Sequence, residues 1–306
     1  MTSGLSAKYH PFVQLIYLVL MVFAGIFLAS AIGALILISV SGGNIGNVDM
    51  YAPQTLHALK WAQICYTALG FLLPAWIFSF MTHDRDQYLP IHDPGRPLLF
   101  PLVVLVMAVS MPMMEYLVTL NDSMKLPAGM QGLEKWMKNM EETNKEFIKA
   151  LLDMPDKGAL AFNFVLIALL PALAEEFLFR GCIQEIFRQW TRNGHLAIWI
   201  TAFIFSFIHF QFYGFLPRMV LGALFGYLVY WSGSLWPGIF AHMLNNGMAV
   251  LSTYLYQQKI IQTDPDTAFF PFYSYFLSIA LTIAVLLLYR RTAGHTVEHE
   301  IMEGEN

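Results

Sequence analysis

The fold is decided by one charged segment inside an apolar run, Ala174-Glu175-Glu176-Phe177-Leu178-Phe179-Arg180. The surrounding apolar run extends over about residues 159–187. Each charge costs roughly 3 kcal/mol at the centre of a membrane helix. Ionisable side chains at such depth are therefore a functional-site hypothesis by default. The alternative is a buried packing network, and the segment alone leaves both interpretations open.

Helical geometry separates the two glutamates. Glu176 and Arg180 are four positions apart, so on a helix they lie on one face and can pair. Glu175 is rotated away from them by about 100°. This spacing predicts a structural ion pair between Glu176 and Arg180. It leaves Glu175 as the carboxylate that is available for chemistry.

Composition places the whole chain in a membrane. Of its 306 residues, 57% are hydrophobic and 12% are charged, whereas soluble domains average about 25% charged residues. The net charge of −4 provides no basic field for nucleic acid, so no nucleic-acid partner is expected. Cys65 and Cys182 both lie in apolar runs and indicate neither a disulfide framework nor a metal site.

Hydropathy predicts an all-α, polytopic bundle of about eight transmembrane helices. The first run is too long for the apolar region of a signal peptide and is interpreted as a retained helix. The bias of lysine and arginine at the span ends places both termini in the cytoplasm. The predicted spans are residues 12–40, 58–81, 98–120, 159–187, 196–212, 215–231, 235–255 and 270–288.

Three regions follow from these spans. Residues 1–158 contain three transmembrane helices and an amphipathic surface helix over about 133–152, where a gating lid is the less favoured alternative. Residues 159–255 contain the charged segment and are the expected catalytic core. Residues 256–306 contain the last span and a polar cytoplasmic tail, for which a solvated segment is expected despite its two histidines.

Three more polar side chains lie inside the predicted spans. His209 is in the fifth span, and His242 and Asn246 are in the seventh, four residues apart on one helical face. A lone histidine in a membrane helix is more often a packing residue. Counted from the inner ends of their spans, Glu175, His209 and His242 lie at depths of roughly 18, 20 and 11 Å. All of these side chains are therefore predicted to meet in one cavity.

Such a set can activate water. A carboxylate in apolar surroundings becomes a stronger base, and a neighbouring histidine can share the water and protonate a leaving amine. The amide of Asn246 can donate a hydrogen bond to a developing oxyanion. Neither a Gly-x-Ser-x-Gly elbow nor a His-Glu-x-x-His pair is present in the sequence.

The three motifs resemble, in order, those of the CPBP family of intramembrane proteases. The motifs are Glu175-Glu176-x-x-x-Arg180, Phe205-x-x-x-His209 and His242-x-x-x-Asn246. The family includes type II CAAX prenyl endopeptidases, proteins like lysostaphin-resistance protein A, and the ABI proteases involved in bacteriocin processing. The resemblance covers about residues 159–255. It implies an intramembrane endopeptidase that acts on membrane-associated protein or peptide substrates, including prenylated CAAX proteins, from within the lipid bilayer.

The resemblance also implies roles for individual residues. Glu175 and His209 would activate water, and His242 with Asn246 would form the oxyanion site, while Glu176 and Arg180 would support the motif. A metal-free mechanism without a cofactor is favoured, because Asn246 beside His242 suits an oxyanion donor better than a ligand. The alternative is a zinc ion bound by Glu175, His209 and His242. Two other functions remain open: a non-catalytic scaffold or bacteriocin-immunity protein of the same fold, and a transporter.

Overall fold

The structure is a computed structural model that describes residues 9–43, 49, 52–82, 85–124, 126–264 and 270–294, without the side chain of residue 128. Residues 295–306 of the predicted polar tail lie outside the described residues. The described part is all-α and contains no strand. Its helices are α1 Pro11–Val40, α2 Pro53–Met81, α3 Arg85–Tyr88, α4 Leu99–Ser123, α5 Gln131–Leu151, α6 Lys157–Thr191, α7 Gly194–Phe207, α8 Phe215–Ser232, α9 Trp236–Gln257 and α10 Phe272–Ala293.

Six of these helices are long and apolar enough to cross a membrane, so the chain is a polytopic integral membrane protein. They are α1, α2, α4, α6, the span Phe212–Ser232 that contains α8, and α10. The predicted number of eight is not reached for two physical reasons. The 14 residues of α7 span only about 21 Å, less than the hydrocarbon core. The 22 residues of α9 are long enough, but a row of polar side chains lowers its hydropathy.

Helix α6 is the central element, and it is not a regular α-helix. Asp156 precedes α6, and its side-chain carboxylate caps the first turn by accepting a hydrogen bond from the Ala159 N–H. Two π-helical segments, Phe164–Leu169 and Phe177–Ile183, flank the α-helical turns between them. Because π-helical segments shift side chains around the helix axis, they recur at functional sites. The charged motif crosses the boundary of the second segment, since Glu175 and Glu176 precede it and Arg180 lies within it.

Helix α8 lies between α7 and α9 and brings them against α6. The small-residue pair Gly222 and Gly226 makes this close approach possible. A Cβ atom at Gly226 would stand 2.7 Å from the Gln184 side chain of α6 and 3.0 Å from Ile198 of α7. This close packing sets the carboxyl end of α7 and the polar residues of α9 against the charged segment of α6.

Helix α5 packs over the turn between α7 and α8. The Trp136 ring lies 5.6 Å, centroid to centroid, from the ring of Phe212. At the opposite end, Gln14 of α1 accepts a hydrogen bond from the Tyr88 hydroxyl at 2.5 Å, and the same hydroxyl accepts from Gln189 of α6. The amino-terminal region is therefore attached to α6 and to the turn that follows α7.

Candidate active site

The buried side of the site is formed by the ion pair of Arg180 with Glu176, and His242 is bonded to the same carboxylate. Arg180 Nη1 lies 2.7 Å from Glu176 Oε1, and neither side chain is exposed. Arg180 Nη2 donates to the Gly222 carbonyl at 3.0 Å, and its guanidinium lies 4.5 Å from the centre of the Phe205 ring. The same Glu176 oxygen lies 2.9 Å from His242 Nδ1. Glu176 thus holds both Arg180 and one ring nitrogen of His242.

The open side of the site is centred on Glu175. Its Oε2 atom lies 3.8 Å from His242 Nε2 and 4.0 Å from His209 Nε2, and its side chain is 20% exposed. These distances are too long for direct hydrogen bonds. With Nδ1 of His242 bonded to Glu176, Nε2 of this ring is directed towards Glu175. Phe225 stacks on the His242 ring with the centroids 5.3 Å apart, which fixes the ring plane.

His209 lies beyond α7, not inside a helix. The predicted fifth span ran to residue 212, but α7 ends at Phe207 and the chain turns at Phe210, whose φ is +52°. Nδ1 of His209 is 2.6 Å from the Phe205 carbonyl oxygen, which is part of the last turn of α7. This bond places the proton on Nδ1 and directs Nε2 towards Glu175.

Asn246 contacts α6 about two helical turns before Glu175. Its Nδ2 donates to the Ile167 carbonyl at 3.1 Å, and its Oδ1 accepts from Asn245 at 3.1 Å. Ile167 precedes Glu175 by eight residues, on the order of 12 Å along the axis. In a regular helix the Ile167 carbonyl would accept from residue 171, but Pro171 has no N–H. The Asn246 amide therefore supplies a donor that the α6 sequence lacks.

The donor types at the site match a zinc ion. One carboxylate and two imidazoles are a common catalytic set, and each histidine has its other nitrogen bonded, as ligating histidines do. Tetrahedral ligands at about 2.1 Å from zinc lie about 3.4 Å apart, whereas here the distances from Glu175 are 3.8 and 4.0 Å. Among the described residues, no three His, Cys, Asp or Glu side chains stand in metal-binding geometry. The residues would have to contract to bind zinc.

Sequence reasoning missed three side chains around this cluster. Phe225 stacks on His242, Arg218 interacts electrostatically with Glu175, and Asn121 bonds to the turn after His209. None of them stands at a recognisable spacing from the motifs. Only packing of separate helices brings them to the site.

The helical membrane bundle thus holds a carboxylate–histidine cluster against the buried ion pair of α6. Residues 157–248 match the family described as Rce1-like, Type II CAAX prenyl endopeptidase Rce1-like, which confirms the resemblance predicted from the motifs. This segment contains each of the predicted site residues.

One curated protein is similar to part of the chain. It is described as Uncharacterized protein YpbD, from Bacillus subtilis (strain 168), and is 29% identical over 86 residues. The similar segment is 27% of this chain and 41% of that protein, so the chain matches less than half of the relative's length. No solved structure matched at the same level of significance.

Proposed function

We propose that this protein is an intramembrane endopeptidase that hydrolyses peptide bonds in membrane-associated proteins, with prenylated CAAX proteins as one substrate class. The observation that carries the proposal is the position of Glu175, whose carboxylate faces Nε2 of both His209 and His242. A water about 2.8 Å from two atoms that are 4.0 Å apart hydrogen-bonds to both at an angle near 90°. The cluster is therefore suited to bind and activate one water.

The chemistry follows from the groups around that water. Glu175 takes one proton as the water oxygen attacks the peptide carbonyl carbon, and the carbonyl oxygen becomes an oxyanion. We propose that His242 and Asn246 stabilise this charge, Asn246 with the second N–H of its amide, since the first is bonded to the Ile167 carbonyl. The proton then passes to the leaving nitrogen, assisted by His209, and the carbon–nitrogen bond breaks to give a carboxylate and an amine. Glu176 keeps His242 in the required orientation. A zinc ion, if bound by Glu175, His209 and His242, would polarise the same carbonyl.

An apolar groove supports a membrane-associated substrate. It lies between α6 and α9 and has a volume of about 500 Å³. Its walls are almost entirely apolar, and the lining residues include Lys157 and Met243, the residue that follows His242 in the chain. Such a groove suits a hydrocarbon chain or the apolar part of a substrate segment. Its walls include Leu160, Ala161, Phe164, Met243, Met248 and Leu251.

Cleavage by the purified protein in liposomes tests the proposal. Membrane-tethered peptides, with and without a prenyl group, are incubated with the wild type and with Glu175→Ala. The expected result is product release by the wild type alone, with both proteins equally folded. A scaffold would release no product with any peptide. A transporter would move protons or ions across the sealed liposomes without cleaving a peptide, and either outcome would overturn the proposal.

A further inference from the structure

We propose that Asn121, at the end of α4, is a positioning residue that holds the turn after His209 and so fixes the direction of its Nε2 atom. This inference rests on the proposed function. It would give the amino-terminal region, which lies outside the family match, an indirect part in catalysis through His209.

The Asn121 side chain uses both of its polar atoms on the turn. Its Nδ2 donates to the Phe212 carbonyl at 2.8 Å, and its Oδ1 accepts from the Leu216 N–H at 2.8 Å. The residue is only 6% exposed. One buried carboxamide therefore links the middle of the segment that joins His209 to α8 with the first turn of α8. Each of these hydrogen bonds stabilises the turn, and the loss is larger when a buried partner is left without one.

The turn needs an external support because its backbone is strained. Phe210 has a φ of +52°, in the left-handed region that is unfavourable for a residue with a side chain. Its ring is 46% exposed, so packing offsets little of this cost. The Arg218 side chain supports the other side by donating to the Gln211 carbonyl at 3.4 Å and to the Gln211 side-chain oxygen. Side chains from α4 and α8 thus hold the strained conformation.

The support reaches the reacting atoms through His209. On one side, His209 Nδ1 is bonded to the Phe205 carbonyl of α7. On the other side, the backbone passes directly into the turn that Asn121 holds. If the turn relaxes, the imidazole swings about its α7 anchor, and the 4.0 Å separation between His209 Nε2 and Glu175 Oε2 changes. A displacement of about 1 Å in a catalytic group can cost about 100-fold in rate.

The test compares Asn121→Leu with a matched change elsewhere. Gln257 at the end of α9 holds another loop in the same way: its Oε1 accepts from the Met154 N–H at 3.0 Å and its Nε2 donates to the Leu152 carbonyl at 2.9 Å. Both Asn121→Leu and Gln257→Met keep the shape and remove two hydrogen bonds. We expect kcat to fall about 10–100-fold for Asn121→Leu with KM little changed. For Gln257→Met we expect an unchanged kcat.

Histidine-selective ¹⁵N NMR provides a readout that does not depend on activity. In Asn121→Leu the ring resonances of His209 should shift or broaden, while those of His242 stay in place. If Asn121→Leu does not fold, Asn121→Asp replaces it in the test. Asn121→Asp keeps the shape and the acceptor for the Leu216 N–H but loses the donor to the Phe212 carbonyl. For this variant we expect a smaller decrease in kcat, again with unchanged KM.

The outcomes separate this inference from the proposed function. Wild-type kcat and wild-type His209 resonances in a folded Asn121 variant would overturn the positioning role, and so would an equal kcat loss in Gln257→Met. A wild-type protein that cleaves no peptide would instead overturn the proposed function, and the NMR comparison would still report whether Asn121 orients His209.

Discussion

Glu176→Ala is expected to destabilise the protein far more than Glu175→Ala, although the two residues are adjacent. The Glu176 carboxylate is fully buried, 2.7 Å from Arg180 and 2.9 Å from His242. Glu175 is 20% exposed, and its carboxylate lies 3.8 Å from His242 Nε2 and 4.0 Å from His209 Nε2. The first substitution leaves a buried cation without its counter-charge, whereas the second removes a carboxylate whose distances to both histidines are too long for hydrogen bonds.

The magnitude follows from the buried pair. Removing one partner of a buried ion pair costs about 3–5 kcal/mol. The Gly222 carbonyl and the Phe205 ring still contact the Arg180 guanidinium and offset part of that loss, while the bond to His242 is lost in addition. For Glu175, contacts of this length at a partly exposed site are worth less than about 1 kcal/mol.

Thermal unfolding in detergent measures the difference. At about 2 °C for each kcal/mol in a large domain, Glu176→Ala should lower Tm by about 6–10 °C, and Glu175→Ala by less than about 2 °C. The double variant Glu176→Leu with Arg180→Met removes both charges and should recover much of the loss. Equal losses for the two single variants, or no recovery in the double variant, would refute the division of roles.

Two further predictions concern the oxyanion site and the groove. Asn246→Ala should lower kcat about 100–1000-fold with KM little changed, because it removes one oxyanion donor. Strong chelators should not reduce the activity of the wild type. Near wild-type turnover in Asn246→Ala, together with full loss of wild-type activity to chelator, would favour the zinc mechanism. Ala161→Phe, which fills the groove, should raise KM for lipid-modified peptides without changing kcat. Ala249→Phe, on the exposed surface outside the groove, is the control and should change neither. Equal KM values for the two variants in a peptide titration would show that the groove does not bind the substrate.

Local sequence spacing predicted much of the fold and the pairing within α6. The positions of the apolar runs predicted where α1, α2 and α10 lie. The four-residue spacing predicted the pair of Glu176 with Arg180, because that contact stays within one helix. The prediction failed at helix ends. Hydropathy extended the fifth span through His209, since Phe210 and Phe212 are apolar, although the chain already turns at Phe210.

The remaining features depend on contacts between helices, which no spacing in the sequence encodes. The helical rotation between Glu175 and Glu176 did not predict which glutamate His242 contacts. In the structure His242 Nδ1 is bonded to Glu176, and His242 Nε2 is directed towards Glu175. The bond from Asn246 to Ile167 follows from a missing N–H at Pro171, a signal that the sequence contains but that points to no partner by itself.

Single-turnover cleavage in water enriched in heavy oxygen tests the central claim most directly, because Glu175 is proposed to activate water and not to attack the peptide itself. The protein is mixed in excess with a membrane-tethered peptide, and the products and the Glu175-containing fragment are weighed by mass spectrometry. Direct attack by water predicts one heavy oxygen in the new carboxylate of the product and none in Glu175. An unlabelled first-turnover product, with the label in Glu175, would contradict this account.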